Sequence, residues 1–170
     1  VTPKELDFLR SNAKVHKIVF EEIKKMVKPW VSWYDVNKLC WDLCEKYNVI
    51  PWFKGVYGFP GNICISVNDC VVHGVPSKKM IFEKWDVVKF DFWVKDKVIW
   101  VNTDAAFTMI VWDWHHDEKV VKFLKVAEEA LYKWIKKAVP WNKIWDIGHA
   151  IQTHIESNRF YVIKDLKGHW

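Results

Sequence analysis

Residues 63–76 read ICISVNDCVVHGVP, and after a short link residues 85–109 read WDVVKFDFWVKDKVIWVNTDAAFTM. Apolar residues alternate along both runs, Ile63, Ile65 and Val67 in the first and Val88, Phe90 and Phe92 in the second, which marks half-buried strands. His73, Asp91 and Asp104 are set into that pattern. A carboxylate among aromatic residues loses water and must pair, accept hydrogen bonds or bind a cation. Asp91 and Asp104 lie thirteen residues apart, so a tight turn near Asp96-Lys97 places them on adjacent strands of a hairpin. Facing carboxylates repel unless a proton or a cation sits between them. One divalent metal ion, or a pair of them, is the expected occupant.

Upstream of this block the pattern is helical. Thr2-Pro3-Lys4-Glu5 is a capping box with proline at the first helical position, and it opens a helix running to about Val27. Leu6, Leu9, Ala13, Ile23 and Met26 fall on or near one face of it, and Pro29 ends it. Ser32, with Asp35 three residues on, caps a second helix carrying Val36, Leu39, Cys40, Leu43 and Tyr47 at helical spacing. Residues 49–60, VIPWFKGVYGFP, are expected to be extended and loop-like. Downstream, a helix is predicted from Asp117 to Ala138, then one capped by Asn142 and carrying Ile144, Ile147, Ile151 and Ile155. Residues 159–170, RFYVIKDLKGHW, read as a strand ending in His169. His16, His115, His116, His149 and His154 are expected at the surface, on helices or in loops.

The chain repeats itself at an offset of 111 residues. Phe20 falls on Leu131, Lys25 on Lys136, Pro29-Trp30 on Pro140-Trp141, and Asp35-Val36 on Asp146-Ile147. Each copy reads helix, proline turn, capped helix, strand. Two copies are too few for a solenoid, so a pseudo-symmetric duplication is the expected architecture.

Length and composition narrow the class. A chain of 170 residues, 51% of them hydrophobic, suits one domain with a sizeable core. No apolar run approaches the 18 or so residues of a membrane span, and the charged, amphipathic start is unlike a signal peptide. Cys40, Cys44, Cys64 and Cys70 form no CxxC pair, so buried thiols are the expected reading over a zinc site. A net charge of +5 spread over several elements argues against specific nucleic-acid binding. The anomaly is 13 Trp against 6 Gly, where roughly 7% glycine, about 12 residues, is usual. Trp30, Trp85, Trp112 and Trp141 stand in turns whose chemistry asks for glycine.

HGVP at 73–76, FDF at 90–92 and TDAAFT at 103–108 together resemble the type I methionine aminopeptidases. The resemblance implies an α+β pita-bread (creatinase/aminopeptidase-like) fold, a pseudo-two-fold repeat of a helix pair plus antiparallel strands. On that reading residues 1–170 are a single incomplete catalytic domain, with 1–111 the first half-repeat and 112–170 the start of the second. It implies metal-dependent removal of the N-terminal methionine from nascent proteins, by two divalent ions (Co, Mn, Fe or Zn) held by Asp91, Asp104 and His169. It assigns His73 to catalysis and substrate contact, and Phe53, Val56, Tyr57, Phe59 and Cys64 to the methionine pocket. Two glutamates and a second histidine complete the family's ligand set beyond its GHG motif, which reads GHW at 168–170 here. The 170-residue chain by itself is therefore expected to bind metal weakly and to be inactive. The hairpin between the aspartates is about two residues longer than the family's, an insertion that preserves side-chain parity. The resemblance also implies a cytoplasmic monomer working near the ribosome on N-terminal Met peptides, with no membrane partner. The alternatives are a pita-bread interaction module without catalysis and a related proline-specific aminopeptidase. About ten tryptophans (Trp30, Trp52, Trp85, Trp93, Trp100, Trp112, Trp134, Trp141, Trp145 and Trp170 among them) fall where the family has glycine or a small residue. A gene read in a lineage that assigns UGA to glycine would place glycine at each.

Overall fold

Thr2 opens the first helix as its sequence requires: its hydroxyl accepts from the Glu5 N–H, and the Glu5 carboxylate accepts from the Thr2 N–H at 2.6 Å. The computed structural model describes residues 1–112 and 117–166, which fall into two compact units, Val1–Trp114 and His115–Trp170. The first unit holds α1 (Pro3–Met26), α2 (Trp33–Lys46) and four strands: β1 (Val49–Pro51), β2 (Cys64–Val67), β3 (Val87–Asp96) and β4 (Asn102–Ile110). β3 is the centre of an antiparallel sheet, with β4 along one side and β1 and β2 sharing the other.

The alternation read in β3 decides the layering. Val88, Phe90, Phe92 and Val94 are fully buried on the face that receives the helices, with Ile65 beside Phe90 and Phe107 stacked on it at 5.2 Å. Val15, Val19 and Ile23 of α1 and Val36, Cys40 and Cys44 of α2 close this core. The apolar stripe of α1 is rotated from the expected one. Leu6 and Ala13 are exposed, and the buried line is Asn12, Val15, His16, Val19 and Ile23. His16, expected at the surface, is thus a core residue.

The second unit holds α3 (Glu118–Ile135) and α4 (Ile144–Ser157). The 111-residue offset carries Trp33–Lys46 onto Ile144–Ser157 at both ends, so the two helix pairs recur as the sequence repeat requires. Val126 and Ala130 are the buried residues of α3, Phe123 meets Phe160 edge-on at 5.3 Å, and His154 is half-buried with Nε2 3.1 Å from Glu129 Oε2. Three local expectations fail here. α3 ends at Ile135 rather than Ala138. Lys143, not Asn142, is the cap of α4, because the Asn142 amide donates back to the Lys137 carbonyl instead. Residues 160–163 are not a strand: a strand needs a ladder partner, and the described part of this unit contains no other strand to supply one. His115, His116 and His169 lie outside the described residues. Among the described residues no helix is long and apolar enough to cross a membrane.

Among the described residues five tryptophans occupy left-handed backbone: Trp30 (φ 75°), Trp85 (72°), Trp100 (64°), Trp112 (66°) and Trp141 (74°). The side-chain Cβ disfavours that region for every residue but glycine, and bulky residues rarely enter it. Trp30 and Trp141 are equivalent positions of the repeat and share the conformation.

Candidate metal centre on the β3–β4 hairpin

The register of the hairpin places both acids on one face. Asp91 opposes Ala106 and Asp104 opposes Trp93, so these four side chains point away from the helices, whereas Phe92 and Ala105 point towards them. The connection spans 97–101, and the Asp96 carboxylate organises it by accepting from the N–H groups of Val98 (2.6 Å) and Ile99 (3.0 Å). β2 adds Cys64, which opposes Asp91 on the same face.

The two acids sense each other. Burial first, then the Asp104 charge and the hydrogen bond that a protonated Asp91 donates to it, push Asp91 up to about 7. Burial and the same two carboxylates push the Cys64 thiol up to about 12, which keeps it neutral in the metal-free protein. Cys40 and Cys44 are sealed in the core beneath α2, away from this face, and burial raises both thiols. Cys70 is exposed, contrary to the expectation of a buried thiol. Among the described residues no three of the four cysteines surround one point.

The expected pocket residues divide. Phe53 packs on Phe59 at 5.8 Å and edge-on to Trp93 at 5.8 Å, and Trp93 is the cross-strand partner of Asp104. An aromatic wall therefore reaches the acid face through Trp93. Val56 and Tyr57 sit in a single 3-10 turn (Val56–Gly58), where Tyr57 is fully exposed with φ 48°. His73 follows β2 in left-handed backbone (φ 59°) and is exposed, with no hydrogen bond to either acid among the described residues. Its loop is clamped at the next residue. The Gly74 N–H donates to Ser66 Oγ at 3.0 Å, its carbonyl accepts from the Ile65 N–H at 2.9 Å, and a Cβ there would stand 1.9 Å from the Ile65 oxygen. Only glycine permits that approach.

Two carboxylates on one face of a hairpin are a donor set for a hard or borderline divalent cation, so the residues present fit such an ion. Among the described residues no group of three or more His, Cys, Asp or Glu side chains surrounds one point. Asp91 and Asp104 supply the described part of the site.

His16 is the neighbour of this site that sequence reading missed. Its Nε2 lies 3.1 Å from the Thr103 carbonyl oxygen and 2.9 Å from Thr103 Oγ1, directly behind Asp104. Burial lowers its pKa, partly opposed by the Thr103 carbonyl and the Asp104 charge. The signal was present: Asn12 and His16 fall in step with Val15, Val19 and Ile23, so both belong to the buried stripe by periodicity.

A pH effect follows from Asp91. Its folded pKa stands above the unfolded value of about 4, so the metal-free protein holds this proton more tightly than the unfolded chain does. That contribution to stability is complete below about pH 4 and is lost as pH rises through about 7. In carbon NMR of chelator-treated protein the Asp91 carboxyl should titrate near 7. In Asp104→Asn it should titrate lower, yet above the ordinary range, because burial is the larger cause. An Asp91 that titrates normally in the parent protein refutes the pairing.

Comparison with known proteins supplies the context. The model of metallopeptidase family M24 matches residues 7–170. Methionine aminopeptidase 1 of Bacillus subtilis is 36% identical over 168 residues, a match covering 99% of this chain and 66% of that protein. The crystal structure of methionine aminopeptidase from Thermotoga maritima superposes with a TM-score of 0.93 at 34% identity, covering 99% of this chain and 66% of that one. Prolidase from Pyrococcus furiosus, 16% identical, has a TM-score of 0.77 over 92% of this chain and 43% of its own, a likeness of fold alone. The chain thus spans slightly under two thirds of the length of the methionine aminopeptidases it matches.

Proposed function

Because the chain belongs to metallopeptidase family M24 and has its pita-bread fold, we propose that it serves a metal-dependent aminopeptidase that removes the N-terminal methionine from new proteins. The observation that carries this reading is the placing of Asp91 and Asp104 together on the open face of the hairpin, bordered by Cys64 and the Phe53–Phe59 wall. Two divalent ions held by Asp91, Asp104 and His169 would supply Lewis-acid polarisation of the scissile carbonyl. Co, Mn, Fe and Zn all suit carboxylate and imidazole donors.

The protein's own groups do the rest. Asp91 and Asp104, back to back with a buried aromatic layer, hold their charge at one place without rearrangement. Phe53, Phe59 and the neutral Cys64 offer an apolar, soft surface for a thioether side chain, with Val56 and Tyr57 at its rim. His73, exposed on a loop anchored by Gly74, is free to hydrogen-bond the substrate from the side of β2. N-terminal Met peptides arise at the ribosome, so a cytoplasmic enzyme acting close to it as a monomer suits the substrate.

The test is methionine release from a Met-Ala-Ser peptide by protein made from the gene's complete reading frame, with and without a chelator. Release that stops with chelator and returns with a divalent ion is expected. Preference for an Xaa-Pro peptide would transfer the protein to the proline-specific branch, and no cleavage of either would leave the interaction module.

A further inference from the structure

α1 buries two polar side chains one turn apart, Asn12 at 1% exposure and His16 at 5%. Aliphatic residues would pack at both positions without losing water, and the Nδ1 of His16 finds no partner among the described residues. Packing alone therefore does not account for them. Both reach the same target, the approach to and start of β4. Asn12 Nδ2 donates to the Val101 carbonyl at 3.4 Å, an oxygen that also accepts from the Asp96 N–H at 3.0 Å across the hairpin connection. His16 Nε2 meets the carbonyl and the hydroxyl of Thr103. Its ring also stands edge-on to Phe92 at 5.4 Å.

Those contacts have one geometrical meaning. Phe92 follows Asp91 and Thr103 precedes Asp104, and both point to the helix face while the acids point the other way. One imidazole therefore touches the neighbour of each acid from behind. Asp104 is only the third residue of β4, and the ladder beyond it has two rungs, Thr103 with Val94 and Asn102 with Lys95. A short strand start carrying a charge that repels Asp91 is the part of the hairpin most prone to fray.

We propose that His16, assisted by Asn12, is a positioning residue that pins the start of β4 and so holds Asp104 opposite Asp91 for the metal ions. The inference rests on the metal reading given above.

Cobalt(II) titrations of protein from the complete reading frame, followed by the d–d absorption band, test it. His16→Ala is expected to weaken cobalt binding roughly tenfold and to alter the band, the size usual for groups that orient metal ligands. His16→Gln, whose amide can still donate to the Thr103 carbonyl, should recover most of the affinity. Asn12→Ala, a milder change, should weaken binding in the same direction. Ile23→Ala removes buried packing from the same helix two turns away. It should lower the melting temperature without moving cobalt affinity. Unchanged affinity in both His16→Ala and Asn12→Ala, or an equal loss in Ile23→Ala, overturns the positioning role. Asp104→Asn separates the two levels: binding equal to that of the parent protein would refute the metal reading itself.

Discussion

Glycine in place of Trp30, Trp85, Trp100, Trp112 and Trp141 together is expected to stabilise the chain by roughly 2–4 kcal/mol, read as a rise in melting temperature on the order of 10 °C. All five have positive φ between 64° and 75°. Left-handed backbone costs an L side chain roughly 1–2 kcal/mol, while glycine gives back about 0.5–1 kcal/mol in extra chain entropy. Burial does not offset the strain, since Trp30 is 77% and Trp141 99% exposed and the other three are at least 49% exposed. Three contacts are lost: the Lys95 ammonium lies 3.5 Å from the Trp100 ring centre, the Lys84 ammonium 5.1 Å from that of Trp112, and Trp100 meets Trp52 edge-on at 6.0 Å. Such cation–π contacts are worth about 0.5–1 kcal/mol each at exposed sites and an aromatic pair about as much, against roughly 1–2 kcal/mol at each of five backbone positions, so the backbone term wins. The same count bears on the protein as its cell makes it. If UGA is read as glycine in that lineage, mass spectrometry of the native protein finds glycine at all five positions. UGG codons there, or tryptophan in the peptides, refute the recoding while leaving the strain argument to the stability measurement.

Asp91→Asn and Asp104→Asn are each expected to remove methionine release and to lower metal affinity by at least about 100-fold, because each deletes a charged donor rather than a group that orients one. The two carboxylates lie on one face but at different places on it, so neither can replace the other. His73→Ala should behave differently. Metal content stays near that of the parent, and turnover falls by about 100-fold, the size usual for a lost hydrogen bond to reacting atoms. Metal analysis beside the peptide assay checks the distinction. An Asp91→Asn protein with full activity and full metal content would rule out the acid pair as the centre, and a His73→Ala protein that loses its metal would move that histidine among the ligands.

Local chemistry was legible wherever it acts within a few residues. The Thr2–Glu5 and Ser32–Asp35 caps, the alternation of β3 and the parity of the hairpin acids each depend on one element or one pairing. The repeat was legible for the same reason, since helix ends and turn residues recur with the chain. Tryptophan in turns announced a conflict that the φ angles then made concrete. Other features depend on which surfaces meet. Periodicity allows several stripes on α1, and only the sheet beneath it selects the one containing Asn12 and His16. The apolar run at 160–163 has strand composition, yet a strand is defined by its partner, and composition cannot supply one. The raised pKa of Asp91 belongs to the same class: thirteen residues of chain separate it from Asp104, and only the closed hairpin brings that second charge beside it.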